Sequence, residues 1–189
     1  MLACFDIGGS LIKAAFASAP GDIVEGRSLP TPGDDFGAFA GTITTLIAGS
    51  ARPVQGVAIS TTGVVDPSTG LLTCANIPCI HGRAIADDLS EALRLPVFIA
   101  NDADCFALAE ALEGAGRGHR NVFGIILGSG VGGGLVIDGR IVTGAGGYAG
   151  EWGHGMALQT RAGTPPVDVP HVPCPCGSAG CVNTVGGAR

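Results

Sequence analysis

Apolar and polar residues alternate through Leu2-Ala3-Cys4-Phe5-Asp6-Ile7 and again through Leu11-Ile12-Lys13-Ala14-Ala15-Phe16, on either side of Gly8-Gly9-Ser10. A period of two marks strands with one buried face, and adjacent glycines between two such runs mark a turn. Residues 23–29 read as a third strand. Within 34–48, Phe36, Phe39, Ile43, Leu46 and Ile47 recur at helical spacing and predict an amphipathic helix. The apolar run 54–60 predicts a buried strand that delivers Thr61-Thr62-Gly63, and a short helix at 87–93 precedes a strand at 97–100. Beyond Asn101-Asp102-Ala103-Asp104, the residues Phe106, Leu108, Ala109 and Leu112 begin another helical pattern. A glycine-rich segment at 114–118 follows. After it, strand 122–127, the glycine stretch 128–134 and strand 135–137 repeat the strand, turn, strand of residues 2–16. Strands alternating with helices predict an α/β protein. The repeated hairpin predicts two similar domains, 1–116 and 117–189, with the 114–118 segment as the hinge.

Composition narrows the possible functions. The chain has 189 residues, of which 46% are hydrophobic, and a mean hydropathy of +0.44, ample for a packed core. A net charge of −6, with Lys13 the single lysine, provides no basic patch and excludes nucleic acid as a direct partner. The uncharged run at 121–137 is broken by glycines and makes a poor bilayer helix, so no membrane association is expected. Seven cysteines are an odd number, and the first residues lack a basic segment followed by an apolar one. Together these point to a reducing cytoplasm.

The candidate chemistry lies at the turns. Gly8 and Gly9 let backbone N–H groups approach an anion, Ser10 adds a hydroxyl, and Asp6 is placed to hold a hydrated Mg²⁺ against the same phosphates, although a plain hairpin turn accounts for the motif equally well. Gly128, Ser129 and Gly130 repeat the arrangement. Asn101 and Asp102 stand at the carboxyl end of a strand, where open α/β sheets bind ligands. An acid there serves as a helix cap or as a base toward a substrate hydroxyl. Asn76 sits in a loop from which it can reach a ligand.

Glu151-Trp152-Gly153-His154 and the knuckle Cys174-Pro175-Cys176-Gly177-Ser178-Ala179-Gly180-Cys181 provide a tetrahedral Cys₃His zinc shell, with His171 competing with His154 for the fourth position. Buried cysteines or a disulfide are the alternative.

In this order, Asp6-Ile7-Gly8-Gly9-Ser10, Asn101-Asp102-Ala103-Asp104, the 128–134 glycine stretch, Glu151-Trp152-Gly153-His154 and the cysteine knuckle resemble the repressor, open-reading-frame and kinase (ROK) family, and within it the bacterial N-acetyl-D-glucosamine kinases. The resemblance implies an actin-like, ribonuclease H-like ATPase fold with two domains flanking a cleft, the second incomplete in this chain. It implies ATP-dependent phosphorylation of the 6-hydroxyl of a hexose, first N-acetyl-D-glucosamine, otherwise glucose or N-acetylmannosamine. Asp102 becomes the catalytic base. Asn76, Asn101, Glu151, His154 and Asn183 join it as sugar contacts, and the two glycine turns cradle ATP phosphates with Mg²⁺. His154, Cys174, Cys176 and Cys181 hold a structural Zn²⁺, and a homodimer is expected.

Three departures stand out: Ser10 where the family usually has Thr, Asn183 where it usually has a sugar-contacting Glu, and a chain that stops at Arg189 as a helix should begin. A non-catalytic sugar-binding module of the same family, or a remnant of such a kinase, is the rival reading. A purely zinc-binding structural domain leaves the glycine turns and Asp102 unexplained.

Overall fold

The alternation at the start of the chain is realised as a strand whose odd-numbered residues are buried. In the computed structural model, which describes residues 1–155 and 159–188, the backbone forms two compact units. The first comprises Met1–Asp102 with Ala145–Gly147, and the second comprises Ala103–Gly144 with the chain from Tyr148 onward.

The first unit contains strands β1 (Leu2–Ile7), β2 (Leu11–Ala19) and β3 (Asp22–Pro30), helix α1 (Phe36–Ile47) and strand β4 (Gly56–Thr61). A small hairpin of β5 (Val64–Val65) and β6 (Leu72–Thr73), helix α2 (Ile85–Leu93) and strand β7 (Val97–Asn101) complete it. The sheet order is β3-β2-β1-β4-β7. The β1–β2 and β2–β3 pairs are antiparallel, and β4 lies parallel to both β1 and β7. Asp35 caps α1, its Oδ1 accepting from the Ala38 N–H at 2.5 Å. The helix then buries Phe39, Ala40, Ile43 and Leu46 in one core with Ala3, Phe5 and Ile7 of β1, Ile12 and Phe16 of β2, and Ile85 and Leu89 of α2. Each large side chain removed from water there contributes about 1.5–3 kcal/mol. The opposite face of the sheet stays open, with Leu2, Ile23 and Phe98 exposed.

The second unit is built on α3 (Asp102–Leu112), β8 (Asn121–Leu127), β9 (Val131–Ile137) and β10 (Arg140–Ile141), with sheet order β10-β9-β8. A two-stranded ribbon, β11 (Arg161–Ala162) with β12 (Val167–Asp168), and the short helix α4 (Asn183–Gly186) follow. Two findings differ from the sequence expectation. Residues 132–134 are strand rather than turn, and only residues 128–130 make the bend. Their glycines serve close approach: Gly124 and Gly134 pair across β8 and β9, and a Cβ on either would stand 2.8 Å from the Ala107 Cβ. The helix α3 therefore seats its Ala107 on a sheet surface that carries no side chain there.

The same packing explains the second difference. From Ala103 onward, α3 groups with the second sheet, whereas the sequence reading places the boundary at Gly116. Ala103, Ala107 and Ala111 form its buried stripe, too weakly apolar to reveal from sequence which sheet it covers. On the other face of β8, Phe123, Ile125 and Leu127 are exposed.

Candidate functional site

The first glycine turn is held by Thr31, a residue the sequence reading missed. Thr31 Oγ1 donates to the Gly8 carbonyl at 2.7 Å, its N–H donates to the Ser10 carbonyl, and the Gly8 N–H donates to the Leu11 carbonyl. Residues 30–33, Pro-Thr-Pro-Gly, carry the only sequence signal of such a brace. Asp6 lies on the open face of β1, its Oδ2 receiving a hydrogen bond from Lys13 Nζ at 3.0 Å, with both side chains exposed. Asn76 is a neighbour of this turn, since a Cβ on Gly9 would stand 3.4 Å from the Asn76 Cβ.

At the end of β7, Asn101 Nδ2 donates to the Gly63 carbonyl at 2.8 Å, which ties the strand end to the Thr61-Thr62-Gly63 turn. Gly63 has φ of +101°, and a Cβ there would meet the Thr73 carbonyl oxygen at 2.4 Å, so only glycine fits. The two acids then part company. Asp102 is exposed at the head of α3, while Asp104 is 7% exposed and packs against Gly134. Of the pair, Asp102 is the one accessible to a substrate.

In the second unit, Glu151-Trp152-Gly153-His154 lies against β9. A Cβ on Gly150 would fall 2.1 Å from the Gly133 carbonyl oxygen, and one on Gly153 would fall 2.1 Å from that of Val131. The backbone approach fixes the residues between and beside these glycines. His154 Nε2 lies 3.6 Å from Glu151 Oε2, and its Nδ1 lies 3.5 Å from Cys174 Sγ. The histidine thus faces a carboxylate with one nitrogen and the knuckle with the other, the arrangement by which a carboxylate orients a ligating imidazole.

The ligand atoms of His154, Cys174, Cys176 and Cys181 all lie within 4.8 Å of one another. His171, the competitor in the sequence reading, is outside this group and packs instead over Gly180. A tetrahedron with bonds of about 2.3 Å to sulfur has edges of about 3.8 Å. Cys176 Sγ and Cys181 Sγ are 3.7 Å apart, so the donor set fits zinc in number, chemistry and spacing. The Cys174 thiol is lowered to about 6 by the Cys176 backbone N–H first, against burial, and then by the side chains of Cys176, His154 and Cys181. It is a thiolate at neutral pH, the form that binds metal. Burial pushes the Cys181 thiol up.

Asn183, expected as a sugar contact, is 6% exposed and turns its carboxamide inward, toward Val131 and Cys174. The second glycine turn, at residues 128–130, closes through the Gly128 N–H to the Gly130 carbonyl and receives the Ala188 N–H on the Gly128 carbonyl.

The pattern of the ROK family matches residues 2–188. The chain is 39% identical over 185 residues to the N-acetylgalactosamine kinase AgaK of Shewanella sp. (strain ANA-3), covering 95% of this chain and 58% of that protein. It is 40% identical over 181 residues to an N-acetyl-D-glucosamine kinase of Erwinia tasmaniensis, covering 94% and 60%. The ROK family glucokinase of Streptomyces griseus, solved in complex with glucose and AMPPNP, superposes with a TM-score of 0.78 at 30% identity, over 97% of this chain and 56% of that one. The chain spans about 60% of the length of the curated relatives it matches. The fold is α/β and of the actin-like, ribonuclease H-like ATPase class, as the motifs imply. With glycine turns, Asn101-Asp102 and cysteine knuckle in the order of that pattern, and a match running through nearly every residue, the chain belongs to the ROK family.

Proposed function

We propose that this chain carries the sugar-binding and catalytic residues of an ATP-dependent kinase for the 6-hydroxyl of a hexose, with N-acetyl-D-glucosamine the first candidate. The observation that carries the reading is the exposed carboxylate of Asp102 at the end of β7, beside an Asn101 locked to the Gly63 carbonyl. Asp102 takes the proton of the 6-hydroxyl as that oxygen attacks the γ-phosphorus of ATP; the new O–P bond forms, the β–γ bridge breaks and ADP leaves. Asn76, Asn101, Glu151 and His154 orient the sugar hydroxyls. The turns at residues 8–10 and 128–130 would cradle the phosphates, and Asp6 would hold the Mg²⁺ that offsets their charge, in place of its present partner Lys13. His154, Cys174, Cys176 and Cys181 hold zinc as a structural clasp. We assign the protein to the cytoplasm as a homodimer, with no nucleic-acid or membrane partner; no helix of the described residues is long and apolar enough to cross a membrane.

The relatives named above act on N-acetylgalactosamine and N-acetyl-D-glucosamine, so the test is a panel of N-acetylhexosamines and glucose with coupled detection of ADP. Turnover that depends on sugar and is highest with N-acetyl-D-glucosamine is expected. ADP release indifferent to every sugar in the panel refutes the reading.

A further inference from the structure

Asn183 stands where the family resemblance implies a sugar-contacting Glu, yet three elements of the second unit meet on it. Its Oδ1 accepts from the Val131 N–H at 2.8 Å, at the exit of the second glycine turn. Its Nδ2 reaches Cys174 Sγ at 3.9 Å, the outer range of an N–H···S contact. Its backbone N–H donates to the Gly153 carbonyl at 2.9 Å, one residue before His154. A backbone N–H can only donate, so the amide oxygen must face Val131 and the NH₂ group must face the sulfur. Both ends of a buried carboxamide are thereby satisfied.

The pairing also explains the residue type. A thiolate accepts and Val131 donates, so the side chain between them must accept at one end and donate at the other, which the two atoms of an amide do. A carboxylate satisfies Val131 but presents a second anion to the sulfur, and Glu is a methylene too long for a side chain that already fills the space beside Gly130, where an added Cβ would stand 2.6 Å from Asn183 Oδ1.

We propose that Asn183 is a positioning residue that fastens the metal knuckle to the exit of the 128–130 turn, one amide end holding the Cys174 sulfur and the other the Val131 N–H. The inference rests on the zinc reading given under Proposed function. It assigns Asn183 to the support of the metal and the phosphate turn rather than to the sugar.

Asn183→Asp separates the two ends, since it is isosteric, keeps the acceptor for Val131 and loses the donor to sulfur. In the 189-residue chain loaded with one zinc, transfer to a chromophoric chelator should be about 10–100-fold more favourable for the variant, the usual consequence of losing a group that supports a metal ligand. In the Co²⁺-substituted chain, the sulfur-to-metal charge-transfer band should move to longer wavelength, because a sulfur without its N–H donor gives up electron density more easily. Hydrogen exchange at Val131 should stay slow in Asn183→Asp and become fast in Asn183→Leu.

Unchanged zinc transfer and an unchanged Co²⁺ spectrum in Asn183→Asp overturn the proposal, as does slow Val131 exchange in Asn183→Leu. If Asn183→Leu does not fold, the Asp variant alone decides. A wild-type chain that takes up no zinc refutes the underlying metal reading instead, and wild-type metal content distinguishes the two failures.

Discussion

Substituting Gly153 by alanine tests how the Glu151 to His154 segment is held. The added Cβ would stand 2.1 Å from the Val131 carbonyl oxygen, 2.8 Å from its carbon and 3.1 Å from the Val131 Cβ. The two nearest are main-chain atoms of a paired strand, so no side-chain rotation relieves the clash. An ordinary contact begins near 3.4 Å, so one strand or the other must move by roughly 1.3 Å. A shift of that size takes the 2.9 Å bond from the Asn183 N–H to the Gly153 carbonyl beyond hydrogen-bonding range. Overpacking of this kind costs about 1–3 kcal/mol, and a lost hydrogen bond adds about 0.5–1.5 kcal/mol. The expected total of about 2–4 kcal/mol corresponds to a fall in Tm on the order of 5–15 °C.

The assay is thermal unfolding by circular dichroism with zinc content measured on the same samples, because His154 moves with Gly153. Gly41→Ala supplies the opposite sign. Gly41 is exposed in the middle of α1, with nothing within 4 Å of an added Cβ, so the change should stabilise the chain by about 0.5–1 kcal/mol. A Gly153→Ala protein whose Tm and zinc content match the wild type would show that the close approach to β9 does not hold the loop.

Three further outcomes are expected. In a catalytically complete form of the proposed kinase, Asp102→Asn should lower kcat by about 10²–10⁴ while the sugar still binds, because an amide keeps hydrogen bonds to the sugar but cannot take its proton; steady-state kinetics giving near wild-type turnover would remove Asp102 from the chemistry. Cys176→Ser replaces an exposed ligand, so zinc stoichiometry by elemental analysis should fall well below one while the first unit keeps its helical signal; retention of a full equivalent contradicts the assigned ligand set. Zinc affinity should weaken as pH falls, since the metal binds thiolates: burial raises the Cys181 pKa, so protons compete at that thiol at a higher pH than at Cys174, whose pKa is lowered to about 6; dialysis across a pH series, followed by metal analysis, checks this.

The first unit was largely legible because its strands have one wet face and one dry face. The alternation in β1 and the Phe39, Ile43, Leu46 spacing in α1 follow directly from the core they share. The second unit was harder to read, since its packing relies on the absence of side chains. Gly132, Gly133 and Gly134 look like turn residues until Ala107 is seen against Gly124 and Gly134, and an alanine stripe does not announce its partner sheet.

At the site, ligand spacing narrowed the knuckle to two histidines, and geometry groups the cysteines with His154. Asn183 could be read only as a departure from a family pattern. Its inward amide depends on Val131, 52 residues away in the chain, and on Cys174, nine residues away across the knuckle, and both stand beside it only in the folded unit.

The knuckle also carries a redox liability. With metal bound, the four ligand positions shield one another. Once the metal leaves, Cys176 is exposed, and Cys181 lies 3.7 Å from it, sulfur to sulfur. A peroxide that converts one thiolate to a sulfenic acid would then find the second within reach for condensation, with loss of water. With zinc held there as proposed, the metal-free chain should lose its ability to rebind the metal on standing in air and recover it with a thiol reductant, and shelf life would follow how firmly the knuckle keeps the metal.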